Sequence, residues 1–326
     1  MKHAIFMLSL CTFACEAPAT SVDSSTKLAE MTQMFTGDVY DAISVHDGSV
    51  WIEVPGAGVA TCPTSGCDQP SVVTWSDAYV SGALGSPIAY AAQVGTVDAL
   101  NGELHSVDTS GDHAVATGLV YPTWVASSGG RTFVVEDAFY SNDTPSTISC
   151  VGCTTDGKAT PWISGIDGET YGMIADASNV YVLADDPNLV SVQLLACSTS
   201  SSCASEPRVV LGGLDESIDA QELATDGSSV YVARALTSDV VRVDAQGVIT
   251  PLVWTMKTVT AITWDAATST LWFGTMLGDV GRVNGDGTGL TVVARGTGSI
   301  RALATDATNV YAIAGDSGAA VMKTPK

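Results

Sequence analysis

The sequence predicts an all-β fold, a single seven-bladed β-propeller with four antiparallel strands per blade. Three observations predict it: a motif repeated along the chain, hairpin chemistry inside every repeat, and no convincing stretch of helical periodicity after the first residues. The clearest copies are Met173–Val182, Leu223–Val232 and Leu303–Ala312, each an apolar strand, an Asp-led turn, then Val-Tyr opening a second strand. Ile262–Asp265 leading to Leu271–Phe273, and Ile43–Gly48 leading to Val50–Ile52, are further copies, while Val125–Val134 and Ile88–Val97 are weaker ones.

Within a unit, Asp, Gly, Ser and Asn supply the tight turn, and the β-branched and aromatic run that follows suits a half-buried pleated surface. Two shorter strands follow, as in Val240–Val243, a turn at Asp244–Gly247, and Val248–Val253. The shared apolar position falls at Ile43, Ile88, Val125, Met173, Leu223, Ile262 and Leu303. These are about 43 residues apart on average, the length of a four-stranded blade.

The last repeat ends after three strands, at Val321–Thr324. Its missing fourth is expected from Thr32–Thr36, which precedes Ile43 as Pro251–Thr255 precedes Ile262. An N-terminal strand completing the last blade would close the ring and remove two exposed edges.

The cysteines follow the same plan. Cys62/Cys67, Cys150/Cys153 and Cys197/Cys203 lie late in their own repeats, and the three longest repeats are the ones that contain them. They read as disulfides stapling extended hairpins. Cys150 and Cys153 also have CxxC spacing, but that redox chemistry uses a helix N-terminus in a βαβ setting, which is absent from this pattern.

The first residues read as an address. Lys2 and His3 precede an apolar run from Ala4 to Ala14, too short to span a bilayer and of the length of a secretory signal. Thr12-Phe13-Ala14-Cys15 resembles a bacterial lipobox, with Thr12 where Leu is usual, so Cys15 is the expected lipidation site. A plain secretory signal cut nearby is the competing reading. The organisation expected is a signal over 1–14, a flexible tether over 15–31, and the propeller over 32–326.

Composition narrows the partners. Acidic residues number 35 against 13 basic, for a net charge of −22, which disfavours nucleic acid and an anionic membrane surface. The membrane contact expected is the lipid anchor alone, on a protein that is otherwise exported to the cell envelope and monomeric.

Asp306-Ala307-Thr308-Asn309-Val310-Tyr311, Val321-Met322-Lys323-Thr324-Pro325, and Cys62-Pro63-Thr64-Ser65-Gly66-Cys67 followed by Pro70-Ser71-Val72 carry a family resemblance. They are similar to the propeller-repeat lipoproteins of myxobacteria and related bacteria. The resemblance implies the fold and export, not a reaction. Repeat 2 departs most, with no aromatic residue opening its second strand.

A propeller usually binds at one mouth of its channel, through the loops leading into the innermost strands. Two positions before the shared apolar column stand Asp41, Ser86, Thr123, Tyr171, Gln221, Thr260 and Arg301, all polar. Tyr40, Tyr121, Trp124, Glu169, Asp219 and Glu222 adjoin them. The candidate ligand site is Asp41, Tyr121, Trp124, Glu169, Tyr171, Asp219, Gln221, Glu222 and Arg301, suited to a protein, peptide or carbohydrate ligand or a small cation. Inner-strand ends are wet in any propeller, which explains polarity without a ligand.

No cofactor is called for; Asp41, Glu169, Asp219 and Glu222 could hold a divalent cation such as calcium. Asn284-Gly285-Asp286-Gly287 resembles part of a calcium loop but lacks its downstream Glu, and serves as a turn. His46, His105 and His113 lie outside the proposed mouth, and no catalytic residue is identified. The expected role is a binding or scaffold module, with a metal-dependent hydrolase or lyase as the alternative.

Overall fold

A computed structural model describes residues 28–37, 42–54, 58–72, 79–81, 89–93, 102–108, 111–137, 145–154, 158–186, 191–203, 207–215, 222–234, 237–255, 257–296, 298–315 and 319–326. These residues form β-sheets arranged as a propeller, and no described residue is helical. The signal, Cys15 and most of the tether lie outside them.

Seven sheets are numbered here in chain order. Sheet 1 runs through Ile43–His46, Ser49–Val54, Gly58–Pro63 and Ser71–Val72. Sheet 3 runs through Pro122–Ser128, Arg131–Glu136, Ser146–Val151 and Thr160–Ile166. Sheet 4 has Thr170–Ala175, Asn179–Asp185, Ser191–Ser198 and Arg208–Asp215. Sheet 5 has Leu223–Thr225, Ser229–Arg234, Asp239–Asp244 and Ile249–Trp254. Sheet 6 has Val259–Asp265, Thr270–Thr275, Asp279–Asn284 and Thr291–Arg295. Sheet 7 has Ile300–Thr305, Asn309–Ala314 and Ala319–Pro325. In all six the strands run antiparallel in chain order from the innermost outward.

These six are blades of one form. In each, the backbone N–H closing the second strand donates to the carbonyl just ahead of the first. The pairs are Glu53 to Ala42, Asp137 to Tyr121, Asp185 to Glu169, Ala233 to Glu222, Met276 to Thr258 and Gly315 to Ser299, at 2.9–3.2 Å. Sheet 2, made of Tyr79–Ser81, Ala89–Gln93, Gly102–Asp108 and Gly111–Leu119, departs from it. Against the first strand of sheet 3 it sets chiefly its second strand, Ala89–Gln93, where the other blades set their first. Counted by the repeating form there are six blades, and the expectation of seven is corrected. The physical reason lies in repeat 2: Ala89–Gln93 was read from Ile88 as an innermost strand but is a second strand, and no Asp-led turn with a following Val-Tyr marks its register.

That turn explains the repeat elsewhere. In Asp306-Ala307-Thr308-Asn309-Val310-Tyr311, one carboxylate oxygen accepts the backbone N–H groups of Thr308 and Asn309, both at 2.7 Å. The other accepts the buried Tyr311 hydroxyl at 2.7 Å. Asp226 repeats this with Ser228, Ser229 and Tyr231. Burial tends to raise the Asp306 carboxyl, but these hydrogen bonds outweigh it and hold it at about 2. Burial and then the Asp306 bond push the Tyr311 hydroxyl up to about 12. The motif is therefore a local device that ties a hairpin turn to the strand it opens.

Between blades the core is apolar. Ile43, Val50 and Ile52 pack against Tyr311 and Ile313 of blade 7, and Trp272 and Ala261 of blade 6 against Ile300 and Ala312. Closure occurs as expected, with Thr32–Gly37 pairing antiparallel to Ala319–Pro325 as the outer strand of blade 7. One feature was not foreseen. Ala29–Glu30, within the expected tether, pairs parallel with Thr291–Arg295, and Met31 is buried between blades 6 and 7.

The three cysteine pairs are disulfides, with Cα–Cα separations of 5.8, 5.8 and 5.9 Å. Two of the loops they close also latch neighbouring blades. Lys323 of blade 7 donates to the carbonyl of Thr64, inside the Cys62–Cys67 loop of blade 1, at 2.9 Å. Beside the Cys197–Cys203 loop of blade 4, the Trp162 indole of blade 3 donates to Ser198 at 2.8 Å and Ser202 donates back to the Trp162 carbonyl at 2.8 Å.

Candidate functional site

The innermost strands of the six blades begin on one face, and in four of them the ladder is interrupted there. Pairing between first and second strands skips Thr123 and Trp124 in blade 3, Tyr171 in blade 4, Thr260 in blade 6 and Arg301 in blade 7. A β-bulge leaves a residue unpaired and re-aims its side chain, and bulges recur at rims and sites. Thr123, Tyr171, Thr260 and Arg301 are members of the polar column read from the sequence. All four are half-buried. The sequence showed the polarity of the column; the bulge that accompanies it has no signature in residue type.

The side chains at this face are held across blades. The Trp124 indole donates to the Thr170 carbonyl of blade 4 at 3.2 Å, and the Thr260 hydroxyl donates to the Ile300 carbonyl of blade 7. The Tyr171 hydroxyl donates to Asp185 at 2.8 Å, and the other oxygen of that carboxylate accepts the Glu169 N–H at 2.8 Å. Tyr121 has a left-handed backbone, φ 44°, immediately before Pro122. Its carbonyl is bound by the Asp137 N–H, and Gly102 of sheet 2 lies so close that an added Cβ would stand 2.2 Å from Pro122 Cδ. Such strain in a bulky residue persists only where its surroundings impose it.

Asp137 and Asp185 are functional-looking acids that sequence reasoning missed. Both lie three residues after the second-strand partner of the apolar column, Val134 and Val182, so aligning the repeats on that position would have found them. Asp137 is buried and accepts the hydroxyls of Ser146 and, across the blade boundary, Thr170, at 3.0 and 3.1 Å. Charges on blades 5 and 6 are paired: Arg234 with Asp239, and both Lys257 and Arg295 with Asp279.

Glu222 differs. It immediately precedes the first strand of blade 5, partly buried. Burial pushes its carboxyl up to about 8. No described residue gives it a hydrogen bond or an ion pair. It is therefore mostly protonated at neutral pH.

Of the candidate residues, Tyr121, Trp124, Glu169, Tyr171, Glu222 and Arg301 stand at the starts of innermost strands on this face. Asp41, Asp219 and Gln221, with Ser86 and Tyr40, lie outside the described residues. Among the described residues no three His, Cys, Asp or Glu side chains converge as metal ligands. His46 ends a first strand at the opposite face, and His105 and His113 sit in the outer strands of sheet 2. A separate cleft of about 520 Å³ lies between Ala114–Leu119 and blade 3, with Glu136 and Lys158 in its lining.

Fold and mouth together define the class, a β-propeller with a polar rim. No protein family and no curated protein matches the chain. Its likenesses are to solved structures. A streptogramin B lyase superposes with a TM-score of 0.64 at 14% identity, over 92% of this chain and 98% of that one. The virginiamycin B lyase of Staphylococcus aureus gives 0.63 at 14%, over 91% and 99%. A computationally designed protein gives 0.54 at 12%, over 90% and 100%. At these identities the likeness is one of fold.

Proposed function

We propose that the chain is an exported binding module, anchored at the cell envelope through a lipid on Cys15, that takes its ligand at the mouth of the propeller channel. The observation that carries the binding role is the recurrence of one register shift in four blades, which sets Thr123, Tyr171, Thr260 and Arg301 at a bulge on a single face. The disulfides and the motifs shared with exported propeller lipoproteins support the compartment. A protein, peptide or carbohydrate of low negative charge fits the acidic chain best, and the protein acts as a monomer. Asp41, Asp219 and Gln221 belong to the same proposed mouth.

A screen of such ligands by thermal shift tests the binding role. Stabilisation by a ligand, lost in Tyr171→Ala and Arg301→Ala, supports it; ligand responses unchanged by either substitution would point to a purely structural propeller. Incorporation of labelled palmitate, abolished by Cys15→Ala, tests the anchor.

One observation favours a second reading, a lyase or hydrolase. Glu222 is a carboxyl whose burial favours the protonated form, the state a general acid needs, and two of the propellers of similar shape are lyases. A divalent cation such as calcium, held by Asp41, Glu169, Asp219 and Glu222, would be a separate route to this reading, with Glu222 ionised rather than acting as the acid. Turnover of streptogramin B by the purified chain, lost in Glu222→Gln, would establish it.

A further inference from the structure

Three large apolar side chains stand in the open at one place. Trp254 is 72% exposed, Leu277 61% and Met276 52%. Exposed hydrophobics scattered singly are ordinary, but a group of them on one rim marks a contact surface. Trp254 ends the outer strand of blade 5, opposite Asp239. Met276 and Leu277 lie in the turn between Thr270–Thr275 and Asp279–Asn284 of blade 6. The Met276 N–H donates at 2.9 Å to the carbonyl of Thr258, four residues after Trp254. All three therefore lie at the end of the propeller where the innermost strands begin, on adjoining corners of two blades. A hairpin turn takes Gly, Asp, Asn or Ser for its own geometry, so Met276 and Leu277 serve something outside the turn.

We propose that Trp254, Met276 and Leu277 are a second membrane contact, dipping into the interfacial layer of a zwitterionic bilayer beside the lipid on Cys15. This rests on the anchored reading above and goes beyond the lipid as the sole contact. The point where the chain enters the fold argues for it. Ala29–Glu30 pairs with Ala294–Arg295 on the outer edge of blade 6. The next residue, Gly296, donates its N–H at 2.8 Å to the carbonyl of Gly278, which follows Leu277. The chain thus enters beside the patch, and Cys15 lies 13 residues before Leu28, a reach of at most about 45 Å. A lipid held that close keeps the patch at high effective concentration over the bilayer, and lipid anchoring is stable when a second signal joins it. The side chains suit the layer, since an indole has an apolar body and a polar N–H and collects at the membrane–water boundary. Charge suits it too. Arg234, Lys257 and Arg295 face Asp239 and Asp279, so the pairs around the patch carry no acidic excess, on a chain of net charge −22. Contact at the outer corners of blades 5 and 6, away from the innermost strands, tilts the propeller instead of capping its mouth.

The test holds the chain from residue 15 onward on phosphatidylcholine vesicles, through an N-terminal hexahistidine tag and a nickel-chelating lipid. This keeps every described residue and supplies an anchor whether or not Cys15 is acylated. Brominated phosphatidylcholine in the vesicles quenches the fluorescence of tryptophans that reach the bilayer. Wild type should be quenched and Trp254→Phe should not, although six of the seven tryptophans remain in the variant. Leu277→Ser, a change at an exposed turn, should cut the quenching of Trp254 by about twofold or more by withdrawing apolar area from the layer. Equal quenching of wild type and Trp254→Phe, or quenching of neither, overturns the bilayer contact and leaves the anchor to the palmitate test. A dimer in solution that Leu277→Ser dissociates also overturns it, and assigns the patch to a second copy of the chain.

Discussion

Replacing Asp306 by alanine should destabilise the protein by about 2–3 kcal/mol, and the structure supplies the terms. The carboxylate accepts two backbone N–H groups and a tyrosine hydroxyl, all at 2.7 Å, and the Thr308 hydroxyl at 3.1 Å. Holding this carboxyl at about 2 rather than its ordinary 3.8 corresponds to roughly 2.5 kcal/mol at about 1.36 per unit, discounted to about 1–2 because the group is partly exposed. Leaving the buried Tyr311 hydroxyl without its acceptor adds on the order of 1 kcal/mol. Urea unfolding at pH 7 of wild type, Asp306→Ala, Tyr311→Phe and the double variant isolates the pair, with an expected coupling of about 1–2 kcal/mol. The pH dependence has a definite sign. Because the folded carboxyl titrates lower than the unfolded one, its contribution is complete above about pH 4 and is lost as pH falls through 2, about half being gone by pH 3. The advantage of wild type over Asp306→Ala should shrink across that window. A coupling below about 0.3 kcal/mol, or a difference that stays constant down to pH 3, would refute the account of the repeat turn.

Three further outcomes follow from the same geometry. Deleting residues 28–37 removes the outer strand of blade 7 and buried Met31, and should yield aggregated or unfolded protein by size exclusion; a stable monomer would sink the closure argument. Replacing Cys62 and Cys67 together by serine should cost about 2 kcal/mol through the short loop, read as a lowered urea midpoint that reductant no longer affects through this pair. Asp279→Asn should cost only about 1–2 kcal/mol although Asp279 is buried, since water can solvate the half-exposed Lys257 and Arg295 it releases; a loss above about 4 would show those cations to be enclosed.

The fold was legible where sequence and local geometry coincide. Asp176, Asp226 and Asp306 announce their hairpins because each carboxylate bonds within a few residues of itself, so spacing alone encodes the structure. Closure by Thr32–Gly37 was legible as a missing strand. Sheet 2 was not, because Ala89–Gln93 is a short apolar run that reads equally as a first or a second strand. At the mouth, a column of polar residue types could be read, and Trp124 and Glu222 with it. The left-handed Tyr121, the bulges and the acids Asp137 and Asp185 could not, since each depends on what a neighbouring blade brings within reach.

The seam between blades 6, 7 and 1 carries a consequence in time. Thr32–Gly37 must wait for Ala319–Pro325, a span of nearly the whole chain, before its ladder can form. Lys323 fastens the loop of blade 1, and Lys326 fastens Asp265 at the turn of blade 6. During synthesis, six sheets can take shape in succession while their two outer flanks stay bare, and residues 319–326, made after them, then lock three blades at once. A nascent chain halted shortly before residue 319 would hold nearly every hairpin and still be an open arc, its unpaired edges available to any strand that met them first.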